Sequence, residues 1–293
     1  MSEKDWIYTT NSKIPEGKSL PQGINRYAAV VSYDGSAFCG FQKQNHSPSV
    51  QQALEEALSY VANDEITVNC AGRTDTGVHA SKQVIHFDTT AARNGRNWVL
   101  GANSQLPDNI SLTWAGKVCP QFHARFSALS RTYRYVIATT PTRPAILAKG
   151  VTPVGRPLDI PAMQQACQYL IGEQDFSCFR AAGCQSLSPF RNVSHAEFYQ
   201  QAQLVIFEIT ANAFVLHMVR NIVGALLEIG YGRQQPDWVK KLLEGKDRCK
   251  SAATAPPCGL YLVEVEYPGE LNIPELPRGP LFLPEKMNSV SEF

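Results

Sequence analysis

The chain has 293 residues, a formal net charge of +1 and 44% hydrophobic residues. This length supports one large domain or two modest ones, and the near-neutral total excludes a surface coated uniformly in positive charge. There is no run of about eighteen apolar residues and no apolar segment near Met1, so we expect neither a membrane span nor a signal peptide. The eight cysteines include no C-x-x-C pair, which favours reduced thiols. These features predict a soluble, cytoplasmic protein.

In the first half of the chain, predicted strands and helices alternate. A strand is expected over 26–33, followed by a helix that begins after Ser49, where Gln52 three residues later gives a capping-box pattern. Strands near 66–70 and 83–89, a short helix near 97–105 and a strand near 110–118 follow.

The second half repeats this order of elements. A strand over 132–138 precedes a helix near 160–171, with Asp159 as its N-cap and Gly172 just past its end. Strands near 193–199 and 203–211, a long helix from about Phe214, a helix near 236–244 and a strand over 260–265 complete it. Each half therefore reads β-α-β-β-α-β, a ferredoxin-like unit, and the predicted fold class is α+β.

These elements suggest four segments. We expect a mobile N-terminal tail over 1–23, a ferredoxin-like half over 24–120, and a second such half over 121–268. The remaining segment, 269–293, is rich in proline, which favours extended chain lying along the body of the protein. The two halves can share one antiparallel sheet with a cleft between them.

The loop over 71–80 carries the densest group of chemically active side chains. Two glycines bracket an Arg-Thr-Asp-Thr sequence that contains Arg73 and Asp75. Glycine lets a ligand approach the backbone closely, and loops between rigid strands are where sites are usually built. The alternative is an Asx turn in which Asp75 bonds only to its own backbone.

A basic segment follows this loop. No Asp or Glu occurs from Asn109 to Leu158, and aromatic residues are interleaved with the basic ones. The basic residues are Lys117, Arg125, Arg131, Arg134, Arg143, Lys149 and Arg156. Basic residues bind phosphates and aromatic rings stack on bases, so the segment favours RNA contact. The alternative is that these arginines pair with carboxylates elsewhere in the fold.

The late helix combines a broad apolar stripe with a second, polar face. That face holds His217, Arg220, Asn221, Gly224 and Glu228. An arginine in such a helix is rarely buried without an acid, so Arg220 is expected to pair with Asp75, Glu208 or Glu228. His79 and His123 lack acidic or Cys neighbours at metal-ligand spacing, so structural roles are expected for both.

The loop sequence Gly-Arg-Thr-Asp-x-Gly-Val-His-Ala resembles the signature of the TruA-type tRNA pseudouridine synthases. Further segments resemble motifs of that family in the same order: 33–36, 40–44, 122–127, 131–135, 212–214, 217–224 and 259–262. The match extends from about residue 27 to about residue 284. Several separated motifs in order are far more specific than one loop.

The resemblance implies an isomerase that converts uridine to pseudouridine at positions 38, 39 and 40 of the tRNA anticodon stem-loop. It implies two ferredoxin-like halves with the active site in the central cleft, and a homodimer. The reaction changes no oxidation state and loses no group, so we expect no cofactor and no metal. Two other interpretations remain: a non-catalytic RNA-binding protein of ferredoxin-like units, and a carboxylate-based hydrolase that acts on sugars.

The resemblance also assigns residues. Asp75 is the catalytic carboxylate, whether it attacks the base, attacks the sugar or removes a sugar proton. Arg220 is its cationic partner. Tyr133 contacts the substrate, by stacking on the uracil or by moving a proton, whereas Tyr135 is expected in the core. Independently of the resemblance, a target base in a stem must leave the stack, so Arg73 is expected to fill the vacated space or to bind a flanking phosphate. The alternative is an exposed loop arginine without a role. From the basic segment, Arg125, Arg131 and Arg143 are expected to bind the tRNA.

Overall fold

The structure, a computed structural model, describes residues 20–283. The α-helices of this part are α1 (Val50–Ala62), α2 (Gly95–Asn103), α3 (Ile160–Cys167), α4 (Met218–Gly230) and α5 (Trp238–Gly245). The first strands are β1 (Asn25–Tyr33), β2 (Asn69–Cys70), β3 (His79–Thr89), β4 (Ile110–Lys117) and β5 (Ser130–Ala138). The remaining strands are β6 (Thr152–Pro153), β7 (Gly172–Asp175), β8 (Phe190–Gln201), β9 (Leu204–Ala211) and β10 (Leu260–Glu266).

All these strands belong to one sheet, in the order β4-β1-β3-β10-β5-β9-β8-β7, with β2 paired to β3 and β6 to β5. The first half contributes β4-β1-β3-β2, and the second half contributes the equivalent order β10-β5-β9-β8. Both match the strand order of a ferredoxin-like unit, so the predicted α+β architecture is confirmed.

The two halves join where β3 meets β10. The pairing is parallel and short, with Tyr261 opposite His79 and Leu262 opposite Ala80. Because β1 pairs with one edge of β3, both β2 and β10 pair with the other edge. β10 pairs at the start of β3, and β2 pairs further along, with Cys70 opposite Ile85. The loop between β2 and β3 therefore starts on one half and ends at the seam between both halves.

The five helices cover one face of the sheet and form the main core with it. Tyr135 and Leu262 point into this core, whereas the next residues, Val136 and Val263, belong to a smaller apolar cluster. Successive strand residues face opposite sides, so the smaller cluster lies on the other face. Leu283 of the C-terminal segment completes it.

Most helix and strand predictions are confirmed, with shifted ends. Ser49 caps α1 by accepting from the Gln52 N–H over 3.2 Å, but the Gln52 side chain bonds Glu56 rather than closing a capping box. The predicted helix start at Phe214 is wrong, because His217 has a left-handed backbone and α4 begins after it. The strand predicted over 66–70 is reduced to two residues, and β6 and β7 were not predicted.

The expected tails lie partly outside the described residues, at 1–19 and 284–293. Residues 269–283 pack along the sheet, where the Arg278 carbonyl accepts from Ser81 and the Gly279 carbonyl accepts from Arg134. All eight cysteines are free. No helix within residues 20–283 has both the length and the apolar character needed to cross a bilayer.

Candidate active site

A β-turn sets the position of Asp75 in the loop between β2 and β3. The Val78 N–H donates to the Asp75 carbonyl over 3.0 Å. Gly77, the third residue of this turn, has φ +76°, the left-handed value that a type II turn requires there. On the other side of the loop, the Phe41 N–H donates to the Thr74 carbonyl over 3.0 Å. The backbone of Asp75 is therefore held from both sides.

A buried amide fixes the first part of the same loop. Gln83 is fully buried on β3, and its Nε2 donates to the Gly72 carbonyl over 2.6 Å while its Oε1 accepts from the Gly72 N–H over 3.3 Å. The same Nε2 donates to the Tyr33 hydroxyl, which shares a 2.8 Å hydrogen bond with the Thr74 hydroxyl. Side chains from β1 and β3 thus position both neighbours of Arg73.

The carboxylate of Asp75 has its charged contacts on one oxygen. Arg220 Nη1 and His217 Nε2 each lie 3.4 Å from Asp75 Oδ2. Within residues 20–283, no group bonds the other oxygen, Oδ1, and the Asp75 side chain is 25% exposed. Oδ1 is therefore the oxygen available to a substrate.

Arg220 is itself held by the segment that precedes β10. Its Nε donates to the Ala255 carbonyl over 2.9 Å, and the Ala255 N–H donates to the Arg220 carbonyl over 3.1 Å. This close approach requires Gly224, because a Cβ at that position would lie 2.1 Å from the Ala253 carbonyl oxygen. Both the guanidinium and its helix are thus fixed relative to Asp75.

The other carboxylates considered as partners of Arg220 are paired elsewhere. Glu208 contacts Arg134 Nε at 2.7 Å, and Glu228 contacts Arg233 at 2.9 Å. The alternative interpretation of the basic segment therefore holds for Arg134, whose charge is balanced within the fold. For Arg220, the acid is Asp75, as expected.

Tyr133 lies beside the loop, close to Gly72. The residue is 8% exposed, and its ring packs edge-to-face on Phe214 with centroids 5.0 Å apart. A Cβ on Gly72 would lie 3.8 Å from the hydroxyl oxygen. No residue among 20–283 forms a hydrogen bond with this hydroxyl. Burial, with a smaller effect of the Asp75 charge, raises the pKa of Tyr133, so its phenol is neutral.

Comparison with known proteins identifies the family of this chain. A family model described as tRNA pseudouridine synthase matches residues 29–127 and 166–268. The chain is 53% identical over 263 residues to tRNA pseudouridine synthase A of Vibrio cholerae, which covers 90% of this chain and 100% of that protein. It is 55% identical over 260 residues to the enzyme of that name from Shewanella amazonensis, covering 89% and 100%. The corresponding Coxiella burnetii protein is 53% identical over 259 residues, covering 88% and 99%.

The chain belongs to the tRNA pseudouridine synthase family. The family resemblance seen in the separated motifs is thereby confirmed, and the protein is an isomerase that acts on uridine in tRNA. This finding removes the two other interpretations, a non-catalytic RNA-binding protein and a sugar hydrolase.

Two residues of β5 have structural roles in this synthase. Tyr135 is fully buried, as predicted, and its hydroxyl bonds the Thr152 hydroxyl and the Pro256 carbonyl. Arg131, expected to bind tRNA, is only 7% exposed. Its guanidinium donates to the main-chain carbonyls of Ala71, Arg125, Ala128 and Asn212. Arg131 therefore holds loops together and does not present its charge to a phosphate.

The other arginines expected to contact tRNA are on the surface. Arg73 is exposed, and its Nη1 donates to Gln185 Oε1 over 2.9 Å. Arg125 is exposed with its guanidinium carbon 5.6 Å from the centre of the Phe126 ring, and Arg143 is exposed in the connection after β5. Exposed guanidinium groups are suited to phosphate binding, so these three contacts stay predictions.

The two histidines expected to be structural are bonded to main chain. His79 is buried, with Nδ1 accepting from the Gly35 N–H over 3.1 Å and Nε2 lying 2.8 Å from the Lys149 carbonyl. His123 accepts from the Arg125 N–H over 3.1 Å, and burial is the largest cause that lowers its pKa to about 4. Both side chains act as hydrogen-bonding supports for loops near the site.

One histidine and two acids come together on the far side of the sheet. The potential ligand atoms of His195, Glu197 and Glu208 lie within 4.8 Å of one another. Their spacing along the chain did not indicate this, because they are brought together by the pairing of β8 with β9. Arg134 and Arg278 lie 2.7 and 3.6 Å from the Glu208 carboxylate and supply positive charge there already. That no metal is needed stays a prediction.

Two residues of the site were not identified from the sequence. His217 was placed on the polar face of the late helix but received no role, although it lies on the same face as Arg220. In the sequence, Gln83 is a single polar residue in an apolar strand, and no pattern predicts that its side chain holds the loop. Its function depends on the loop that folds back over β3.

Proposed function

We propose that Asp75 is the catalytic carboxylate of this tRNA pseudouridine synthase and that Oδ1 is its reacting atom. The observation that carries this proposal is the asymmetry of the carboxylate: Arg220 contacts Oδ2, whereas Oδ1 has no partner among residues 20–283. Arg220 supplies the cation that an ionised carboxylate needs in a partly closed site. Oδ1 serves equally for attack on the sugar, attack on the base or removal of a sugar proton.

The reaction itself needs few groups. The N1–C1′ and C5–H bonds of uridine break, and the C5–C1′ and N1–H bonds form, so atoms and electrons balance without a co-reactant. We assign the ring of Tyr133 to the uracil as a stacking surface and its hydroxyl to the transfer of the C5 proton. Its raised pKa disfavours a phenolate, so the hydroxyl acts as a neutral relay that accepts one proton while giving up another.

The proposed substrate is the tRNA anticodon stem-loop, with uridines 38, 39 and 40 as targets. Support comes from the ordered motifs and from relatives named tRNA pseudouridine synthase A. A target in a stem must leave the stack, and we assign to Arg73, two residues from Asp75, the filling of the vacated space or the binding of a flanking phosphate. Arg125 and Arg143 bind phosphates further along the RNA. The proposed enzyme is a cytoplasmic homodimer without metal or cofactor.

The substitution Asp75→Asn tests the central assignment. Asparagine has the same shape but neither the charge nor the nucleophilicity of the carboxylate, so isomerisation should be abolished while tRNA affinity stays within a few-fold. Because the two nucleosides have equal mass, the reaction does not change the mass of the tRNA. The measurement is therefore the loss of uridine and the gain of pseudouridine in digested tRNA. Asp108→Asn, at an exposed aspartate outside the loop, is the matched control. Normal turnover by Asp75→Asn would disprove the assignment.

A further inference from the structure

His217 has a left-handed backbone conformation, which is uncommon for residues other than glycine. Its φ is 60° and its ψ is 8°, in the left-handed region, at the residue immediately before α4. The side chain makes no hydrogen bond that caps the helix, so capping does not account for the conformation. Strained backbone angles persist where the surrounding structure holds them, and they concentrate at functional sites.

The conformation directs the imidazole to the carboxylate of Asp75. Nε2 lies 3.4 Å from Oδ2, the same oxygen that Arg220 contacts at 3.4 Å. The His217 side chain is 32% exposed and that of Arg220 is 14% exposed, so the imidazole is the more accessible of the two partners. In the described part of the chain, these are the only ion-pair partners of Asp75.

Two partners on one oxygen have a geometric consequence. A carboxylate held by a single donor can turn about its Cβ–Cγ bond and exchange its two oxygens. A second close partner from a different residue resists that rotation and keeps Oδ2, rather than Oδ1, against the two basic side chains. Since reacting atoms must be held close to their productive geometry, loss of this restraint reduces the rate rather than the affinity.

We propose that His217 is a positioning residue whose Nε2, 3.4 Å from Asp75 Oδ2, holds that oxygen and thereby keeps Oδ1 presented to the target nucleotide. This inference rests on the proposed role of Asp75. It goes beyond that role because it assigns a function to a residue that is not itself expected to touch the reacting atoms. It also explains why a strained histidine occupies a position that glycine would occupy without strain.

The test compares three substitutions at this position. Glycine relieves the backbone strain and removes the ring, and His217→Asn tolerates the left-handed conformation but is too short to reach Oδ2. His217→Gln places an amide N–H at a reach similar to that of Nε2. Single-turnover rates at saturating tRNA, tRNA dissociation constants and thermal melting are measured for each variant and for the wild type.

The Gly and Asn variants should melt no lower than the wild type and bind tRNA within about three-fold. Their single-turnover rates should fall by about 10- to 100-fold, and His217→Gln should recover at least about five-fold over the Asn variant. Rates within two-fold of the wild type would overturn the proposal. So would a defect confined to tRNA affinity, which would make His217 an RNA contact, or equal rates for the Gln and Asn variants.

The outcome is separable from that of the Asp75 test. If Asp75→Asn retains activity, the proposed catalytic carboxylate is wrong whatever His217 does. If Asp75→Asn is inactive and the His217 variants are normal, only the positioning role fails.

Discussion

The hydroxyl of Tyr133 offers a clean separation of stability from chemistry. Because it forms no hydrogen bond with any residue of 20–283, Tyr133→Phe removes no bond that stabilises the fold. The ring keeps its edge-to-face contact with Phe214. The free energy of unfolding should therefore fall by no more than about 0.5 kcal/mol, since no formed hydrogen bond is lost.

The rate should respond very differently. If the hydroxyl relays the C5 proton, Tyr133→Phe should slow the chemical step by about 10² to 10⁴, which corresponds to about 2.7–5.4 kcal/mol in the barrier. If the ring only stacks, Phe should serve as well as Tyr. Tyr133→Leu is the comparison variant, because it removes the stacking surface and should cost about 1–3 kcal/mol in binding or positioning.

Single-turnover kinetics with saturating tRNA separate these outcomes, with urea unfolding of the same preparations as the control for stability. A rate for Tyr133→Phe within three-fold of the wild type would refute the proton-transfer role and leave Tyr133 as a stacking surface. A large loss of stability would refute the reading of the hydroxyl as unpaired.

Three further predictions concern RNA, metal and pH. Replacing Arg125 and Arg143 by Gln should reduce the steepness of log tRNA affinity against log salt by about 0.7–0.9 for each lost phosphate contact. The control Arg96→Gln, outside the basic segment, should leave the slope unchanged. A double variant with the wild-type slope would show that Arg125 and Arg143 do not bind the tRNA. Activity should survive exhaustive chelation with EDTA once magnesium is restored for tRNA folding, and a requirement for zinc would contradict this. Burial, the largest cause, lowers the pKa of His86 to about 3, so the folded state resists a proton that the unfolded chain accepts below about pH 6.5. The contribution of His86 to stability should therefore fall by about 2 kcal/mol between pH 7 and pH 5. It is measured by urea unfolding as the difference between the wild type and His86→Gln, and an equal fall in both proteins would disprove the cause.

The sequence by itself determined the helix α1 and its cap, the order of elements in each half, and the position of the loop around Asp75. Apolar residues at helical spacing after Ser49 predict α1, and the cap forms as expected because it needs only a hydroxyl and an N–H three residues away. The repeated order of elements predicts two ferredoxin-like halves, because each half is built from contiguous segments. The loop around Asp75 could be singled out because its glycines, guanidinium and carboxylate are consecutive.

The absence of acidic residues in the basic segment did not determine which of its arginines are exposed and which are buried. Arg125 and Arg131 lie in the same acid-free segment, yet Arg125 is exposed and Arg131 is buried among main-chain carbonyls. The difference arises because Arg131 lies on β5, the strand at the centre of the joined sheet, where loops from both halves converge. The arginine and its immediate neighbours in the chain therefore do not indicate that loops from both halves will surround it.

Tertiary structure alone decided which groups meet at the site. Asp75 and Arg220 are 145 residues apart, and they come together because β3 and β10 join the two halves at one short parallel pairing. The start of α4 was predicted too early for the same kind of reason. Periodicity carries the helix back to Phe214, but contact with Asp75 accompanies a left-handed backbone at His217 and delays the helix. Local sequence patterns determine whether a segment favours helix or strand. These arrangements depend instead on the free energy of contacts between segments that are distant in sequence.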